Sequence, residues 1–177
     1  MKKILFITLS LFIAFSFWNC EKDDICADGT PVTPRVIIEF YDATATSSLK
    51  NVTNLRVEEN NTDIGVVFNE TLPLDNPSRY LTNGNKIAIP LKSFDITSAF
   101  EFKFNYGSGS ENTDVITFNY TKEDVFVSRA CGYKTLFYLN DITPVVVSPD
   151  GNNWIQNIEV SQSNIENENE IHVKIYF

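Results

Sequence analysis

Apolar and polar residues alternate with a period of two along much of the chain beyond residue 33. In the stretch 100–106 (FEFKFNY) four aromatic residues alternate with Glu, Lys and Asn. In the stretch 171–177 (IHVKIYF) four apolar residues alternate with His, Lys and Tyr. Successive side chains of a strand point to opposite faces, so each stretch would carry its apolar residues on one face of a sheet. These two stretches are the clearest predicted strands.

Further segments show the same pattern more weakly and are also predicted as strands: 35–41, 52–58, 64–69, 86–91, 115–120, 125–129, 133–139 and 154–161. The dipeptides Asn83-Gly84 and Asp150-Gly151 fall between them and are typical of tight hairpin turns, in which both central residues take positive φ. Many short strands without a helical stripe predict an all-β, antiparallel two-sheet sandwich over residues 33–177, with an immunoglobulin-like arrangement.

Residues 1–19 have the pattern of a secretory signal peptide: Met1-Lys2-Lys3 precedes an apolar run over 4–18. This run is shorter than the ~20 residues that a spanning helix needs. It ends just before Cys20, where a lipoprotein signal peptidase would cut and leave a lipid-bearing cysteine. We therefore expect lipidation at Cys20, although residues 17–19 (FWN) depart from the usual small-residue motif. The alternative is an uncleaved anchor in which Cys20 is incidental.

The residues after Cys20 predict where the protein is exported. The sequence C-E-K-D-D at 20–24 resembles the signal that sends lipoproteins of Bacteroidota to the outer face of the outer membrane. The resemblance implies a lipid-anchored protein of the outer membrane, on the cell-surface side, with residues 20–32 as an acidic tether. The alternative is a plain solvated linker.

The cysteines predict one disulfide. If Cys20 carries lipid, Cys26 and Cys131 remain as an even pair in an oxidising compartment, and we expect them to bridge. The alternative is that both thiols stay free and Cys131 is simply buried.

Charge and residue types limit the function. The chain has 14 Lys+Arg against 23 Asp+Glu, so it lacks the basic surface with which proteins bind nucleic acid. His172 is the single histidine and is predicted at an outward position of the last strand. No G-x-S-x-G motif is present. We therefore assign no catalytic residue, metal site or cofactor from the sequence.

Three features leave alternatives open. Trp154 follows a polar loop and could stack on a sugar, although such a ring more often plugs the end of a sandwich. Glu166, Glu168 and Glu170 alternate and could bind calcium, although a solvated acidic turn is the simpler interpretation. The pattern of 171–177 also resembles the terminal signal of small outer-membrane β-barrels, but most predicted strands are shorter than the ~9 to 11 residues such a barrel needs.

The chain resembles a Bacteroidota family of small lipoproteins catalogued as a domain of unknown function. The resemblance rests on four regions, namely 20–26 (CEKDDIC), 33–41 (TPRVIIEFY), 124–134 (DVFVSRACGYK) and the end of the chain, with 153–159 (NWIQNIE) and 171–177 (IHVKIYF). It implies a lipidated, exported β domain and carries over no known activity, substrate or catalytic residue.

These observations favour a non-enzymatic binding or structural module, held to the membrane by its lipid anchor. Its partner would be an unidentified protein or glycan of the cell envelope. The second hypothesis is a glycan-binding protein, or one that processes glycans with paired carboxylates, because the chain is rich in Asp and Glu and contains Trp154.

Overall fold

The computed structural model describes residues 25–27, 29–30 and 32–177. The expected signal peptide and the lipidation site at Cys20 lie outside the described residues. The chain divides into two compact units. One comprises residues 32–125 and 135–177, and the other comprises the described residues 25–27 and 29–30 together with 126–134. None of the described residues belongs to a helix with the length and apolar character required to cross a bilayer.

The regular structure of the described residues is almost entirely β. A single 3₁₀ turn, Pro77–Tyr80, is capped by the side chain of Asn76. The strands are β1 (Val36–Tyr41), β2 (Leu55–Glu59), β3 (Leu81–Thr82), β4 (Lys86–Ile89), β5 (Thr97–Phe104), β6 (Asn112–Ser128), β7 (Gly132–Leu139), β8 (Val145–Val147), β9 (Asn157–Val160), β10 (Asn164–Ile165) and β11 (Val173–Tyr176).

The strands form two sheets, which confirms the predicted sandwich. One sheet has the order β4-β1-β11-β9, and the other has the order β10-β7-β6-β5-β2-β3, with β8 paired to β6. The core between them is rich in aromatic residues, and its fully buried members include Phe40, Phe102, Phe118, Tyr120 and Phe137. The alternating residues of β5 behave as predicted, since Phe100 and Phe102 are buried while Glu101 and Lys103 are partly exposed. The immunoglobulin-like arrangement within this class stays a prediction.

One pair of strands departs from the antiparallel expectation. β1 and β11 are parallel, with Ile38 opposite Val173 and Phe40 opposite Ile175. A parallel pair requires a long crossover connection, and here most of the domain lies between the two strands. Sequence alternation reveals each strand but carries no signal for the direction in which the strands pair.

Some predicted strand bounds are wrong. The segment 64–69 forms only an isolated bridge between Glu58 and Gly65, because the chain turns at Asn61, whose φ is 60°, and then leaves β2. The predicted strands 115–120 and 125–129 are parts of the single strand β6, because the polar residues between them remain extended. The strands β3, β8 and β10 are too short to produce an alternating pattern.

Candidate functional site

A groove in the larger unit lies between the edge strand β4 and the segment that follows β2. Its main hollow has a volume of about 400 Å³ and is lined mostly by apolar side chains. A neighbouring hollow of about 510 Å³ shares Arg35, Glu70, Pro90 and Leu91 with the first, so the two form one continuous groove. We call it the β4 groove. The apolar side chains of its main hollow include Ile64, Val66, Val67, Leu91 and Phe100.

The wall opposite β4 is held in place by hydrogen bonds to β2. The N–H of Glu59 donates to the carbonyl of Ile64 at 3.0 Å, and the N–H of Val66 donates to the carbonyl of Val57 at 2.8 Å. Gly65 lies between these contacts, and a Cβ atom at this position would come 3.0 Å from Cδ1 of Tyr80. The close approach of Tyr80 therefore favours glycine here.

The other wall carries backbone groups of β4 that point away from β1. The N–H of Phe40 donates to the carbonyl of Asn85 at 2.9 Å, so the backbone groups of Ile87 point toward β1 in the alternating antiparallel ladder. The N–H and carbonyl of Ala88 therefore point away from β1, to the open edge of the sheet. Pro90 follows the strand and has no N–H, so this open edge is short.

Two ion pairs lie along the β4 groove. Arg35 binds Glu168 through two parallel hydrogen bonds, Nε to Oε1 at 2.8 Å and Nη2 to Oε2 at 2.7 Å. The hydrogen bonds from Arg35 lower the pKa of Glu168. Lys92 Nζ lies 2.6 Å from a carboxylate oxygen of Glu59, and this contact raises the pKa of Lys92. Both cations therefore already have an anionic partner.

The main hollow offers mainly apolar contacts to a ligand. Among the described residues, its lining contains two carboxylates, from Glu59 and Glu70, and no hydroxyl, thiol or imidazole group. A ligand here would contact aliphatic side chains and the backbone of Ala88. The sequence does not predict this groove, because the groove joins segments that are far apart in the chain. The one local signal is Pro90, directly after a strand.

A second charged cluster lies on the outer face of the larger sheet, at Glu58. This carboxylate is only 3% exposed and makes hydrogen bonds with both Arg56 and Lys103. Burial raises its pKa, but the hydrogen bonds from Lys103 and Arg56 outweigh burial, and the pKa of Glu58 is lowered. Glu101 also contacts Lys103, at 3.2 Å. The two carboxylates thus serve as partners for cations within the sheet.

His172 is buried, so its predicted surface position is wrong. Its exposure is 0%, and its Nδ1 accepts a hydrogen bond from the N–H of Ile37 at 2.9 Å. The backbone N–H of His172 donates to the carbonyl of Ile37 at 3.0 Å. The imidazole therefore accepts a hydrogen bond from β1 where the parallel pairing begins. This hydrogen bond holds the ring in the interior of the protein. Its Nε2 has no hydrogen-bond partner among the described residues.

Burial makes His172 a source of pH-dependent stability. Burial lowers its pKa below 6.5 even though Glu170 and Glu168 act in the opposite direction. The unfolded chain therefore binds a proton at a pH where the folded chain does not, and stability falls as the pH drops below 6.5. We expect the free energy of unfolding of wild type to fall by up to about 1.4 kcal/mol per pH unit in this range. It should fall less in His172→Asn, because asparagine keeps a hydrogen-bond acceptor but cannot become charged.

Urea unfolding of both proteins at about pH 7.5 and about pH 5 measures this difference, since most carboxylates remain ionised throughout. A parallel loss of stability in the two proteins would show that another group is responsible.

Trp154 is half-buried and its ring is engaged within the protein. The indole stacks on Phe104 with ring centroids 5.0 Å apart and meets the edge of Phe177 at 5.3 Å. Its Nε1–H donates to the carbonyl of Phe102 at 3.1 Å. The buried carboxylate of Asp114 accepts from the N–H of Ile155 at 2.8 Å and fixes the backbone beside the ring. This arrangement corresponds to the plug at the end of the sandwich.

The three alternating glutamates do not act together. Glu168 binds Arg35, and Glu170 accepts a hydrogen bond from Gln162 at 3.3 Å. Within residues 25–27, 29–30 and 32–177, no group of three or more His, Cys, Asp or Glu side chains is arranged to hold a metal ion.

Cys26 and Cys131 form a disulfide, with their Cα atoms 4.8 Å apart, as the sequence predicts. Both residues belong to the smaller unit. Cys131 lies in the turn between β6 and β7, so the bridge joins the N-terminal segment to this hairpin.

Comparison with known proteins yields one family. Residues 49–177 match the family described as "Family of unknown function (DUF6452)". The matched range contains three of the stretches on which the sequence resemblance rests, 124–134, 153–159 and 171–177. No curated protein and no solved structure matches the chain.

Proposed function

Because the chain belongs to DUF6452, a family of unknown function, we propose its role from its own residues. The protein is an exported lipoprotein, anchored through Cys20 on the outer face of the outer membrane. It is a non-enzymatic binding module that takes a short, extended apolar peptide segment in the β4 groove.

The observation that carries this proposal is the combination of an open strand edge with an apolar hollow. The N–H and carbonyl of Ala88 can pair with the backbone of an added strand, as in other cases of strand addition. Alternate side chains of that strand would then enter the hollow beside Ile64 and Leu91. Pro90 ends the open edge and limits the paired part of the ligand to a few residues.

The charges around the β4 groove favour an uncharged ligand. Arg35 and Lys92 are each paired with a glutamate, and Glu70 adds a further negative charge to the lining. An anionic ligand would have to displace a glutamate from its cation and approach Glu70. Apolar side chains and backbone hydrogen bonds would supply the affinity instead.

Glycan binding, the second hypothesis, has no specific observation in its favour at Trp154 or in the main hollow. Sugar stacking needs an exposed aromatic face, whereas Trp154 packs on Phe104 and Phe177. The aromatic ring in the main hollow, Phe100, is only 5% exposed.

Export is supported by the cysteines and by the N-terminal pattern. The bridge between Cys26 and Cys131 is typical of a protein in an oxidising compartment. Together with the apolar run before Cys20, it favours passage through the secretory route.

A selection from a displayed library of random heptapeptides tests binding in the β4 groove. We expect enriched peptides to alternate apolar and polar residues, as strands with one buried face do. Their affinity should fall about tenfold for Ile64→Ser, which removes apolar contact area. It should also fall for Ala88→Pro, which removes the outward N–H and leaves the pairing with β1 in place.

Leu74→Ser is the matched control. Leu74 is 76% exposed, similar to Ile64 at 65%, and it does not line the groove. Its affinity for the selected peptides should equal that of wild type. Failure to enrich any peptide, or equal affinity of Ile64→Ser and Leu74→Ser, would rule out this site.

A further inference from the structure

The smaller unit contains a hairpin with an unusual surface. Phe126 is 55% exposed and Tyr133 is 69% exposed, and their ring centroids lie 5.4 Å apart. Ile25, next to Cys26 in the sequence, is 82% exposed. We call residues 126–134, together with the Cys26–Cys131 bridge, the bridged hairpin. Its two strands thus present a pair of aromatic side chains that is largely open to solvent.

The charge of the hairpin is opposite to that of the chain as a whole. Residues 126–134 (FVSRACGYK) contain Arg129 and Lys134 and no acidic residue. The whole chain has a formal net charge of −9. Exposed aromatic rings on the same short segment as Lys and Arg are the composition with which proteins contact the interface of an anionic bilayer.

The bridge limits the distance between this hairpin and the expected anchor. Cys26 follows Cys20 by six residues, and a chain reaches at most about 3.6 Å per residue. Cys26 therefore lies within ~22 Å of the lipid-bearing residue, whatever the path of the intervening chain. The Cα atom of Cys131 lies 4.8 Å from that of Cys26, so the hairpin also lies close to the expected anchor.

We propose that the bridged hairpin binds the surface of the anionic bilayer that carries the protein, with Phe126 and Tyr133 at the level of the lipid headgroups. The inference rests on the lipid anchor of the proposed function and adds a second point of contact. The anchor keeps the local concentration of bilayer high, so a weak interfacial contact is sufficient for the hairpin to remain bound.

Tryptophan fluorescence in vesicles tests this contact. The full chain, expressed with its own N-terminal segment and purified from the envelope, is reconstituted into vesicles of phosphatidylcholine and phosphatidylglycerol with brominated acyl chains. We expect the extra tryptophan emission of Phe126→Trp, taken as the difference from wild type, to shift to shorter wavelength and to be quenched by the brominated acyl chains. Lys134→Gln in the same background should reduce the quenching, and so should Cys26→Ser combined with Cys131→Ser.

Phe94→Trp is the matched control, because Phe94 is 99% exposed and lies in the loop between β4 and β5, outside the hairpin. Its added emission should remain unquenched. Quenching of Phe126→Trp that does not exceed that of Phe94→Trp would overturn the proposal.

The intact mass of the purified protein separates this inference from the proposed function. A mass without acyl chains would refute the anchor. In that case Cys20 is coupled to a maleimide phospholipid in the same vesicles, and the fluorescence of Phe126→Trp still decides whether the hairpin contacts the bilayer.

Discussion

Replacing both Cys26 and Cys131 with serine is expected to lower the free energy of unfolding by about 2 to 5 kcal/mol. The bridge joins residues separated by 105 positions and so restricts the unfolded chain strongly. Urea unfolding of the double variant and of wild type measures the difference. The double variant is preferred to a single one because a lone cysteine would leave a reactive thiol.

Wild type treated with a reducing agent is the control for this experiment, and its stability should match that of the double variant. A thiol count under denaturing conditions, before and after reduction, verifies that the bridge is present in the starting material. An unchanged free energy of unfolding in the double variant would mean that the bridge only tethers the N-terminal segment and adds no stability.

Replacing Trp154 with alanine is expected to cost about 3 kcal/mol of stability, the lower end of the range for large aromatic residues in cores, because the ring is only partly buried. The substitution removes the contacts with Phe104 and Phe177 and the hydrogen bond from the indole N–H to the carbonyl of Phe102. Trp154→Phe keeps a ring in the same place and should cost clearly less. Thermal or urea unfolding distinguishes the two variants.

The same pair of variants addresses the glycan hypothesis. If Trp154 is a structural plug, Trp154→Phe should leave the binding of any glycan unchanged. Wild-type binding to a glycan array that disappears in Trp154→Phe, while stability is retained, would assign the ring to a sugar site and contradict its structural role.

The sequence predicts those parts of the fold in which local pattern and tertiary environment agree. β5 and β11 were clear because their apolar faces meet the core. The hairpin turn predicted at Asn83-Gly84 is wrong, because β3 and β4 belong to different sheets and neither residue has a positive φ. The disulfide followed from simple pairing of the cysteines. For the two strands, a short stretch of sequence contains the physical cause of the structure.

The β4 groove and the position of His172 depend on contacts that local pattern does not contain. Arg35 and Glu168 are 133 positions apart, and nothing in either neighbourhood indicates that they pair. His172 alternates with apolar residues as a surface residue would, yet it accepts a hydrogen bond from Ile37 on β1, the strand parallel to β11, which begins directly after His172. Strand direction and strand neighbours had to be known before either feature could be derived.

The parallel pairing of β1 with β11 has a consequence for biosynthesis. The two lateral neighbours of β1 are β4 and β11, so one side of β1 stays without its partner until β11 has been synthesised. The ribosome delivers the chain from its N-terminus, and a growing polypeptide that lacks β11 cannot complete the smaller sheet. This topology delays closure of the smaller sheet until β11 has left the ribosome, so β1 and β4 wait as an incomplete pair while the strands of the larger sheet are synthesised.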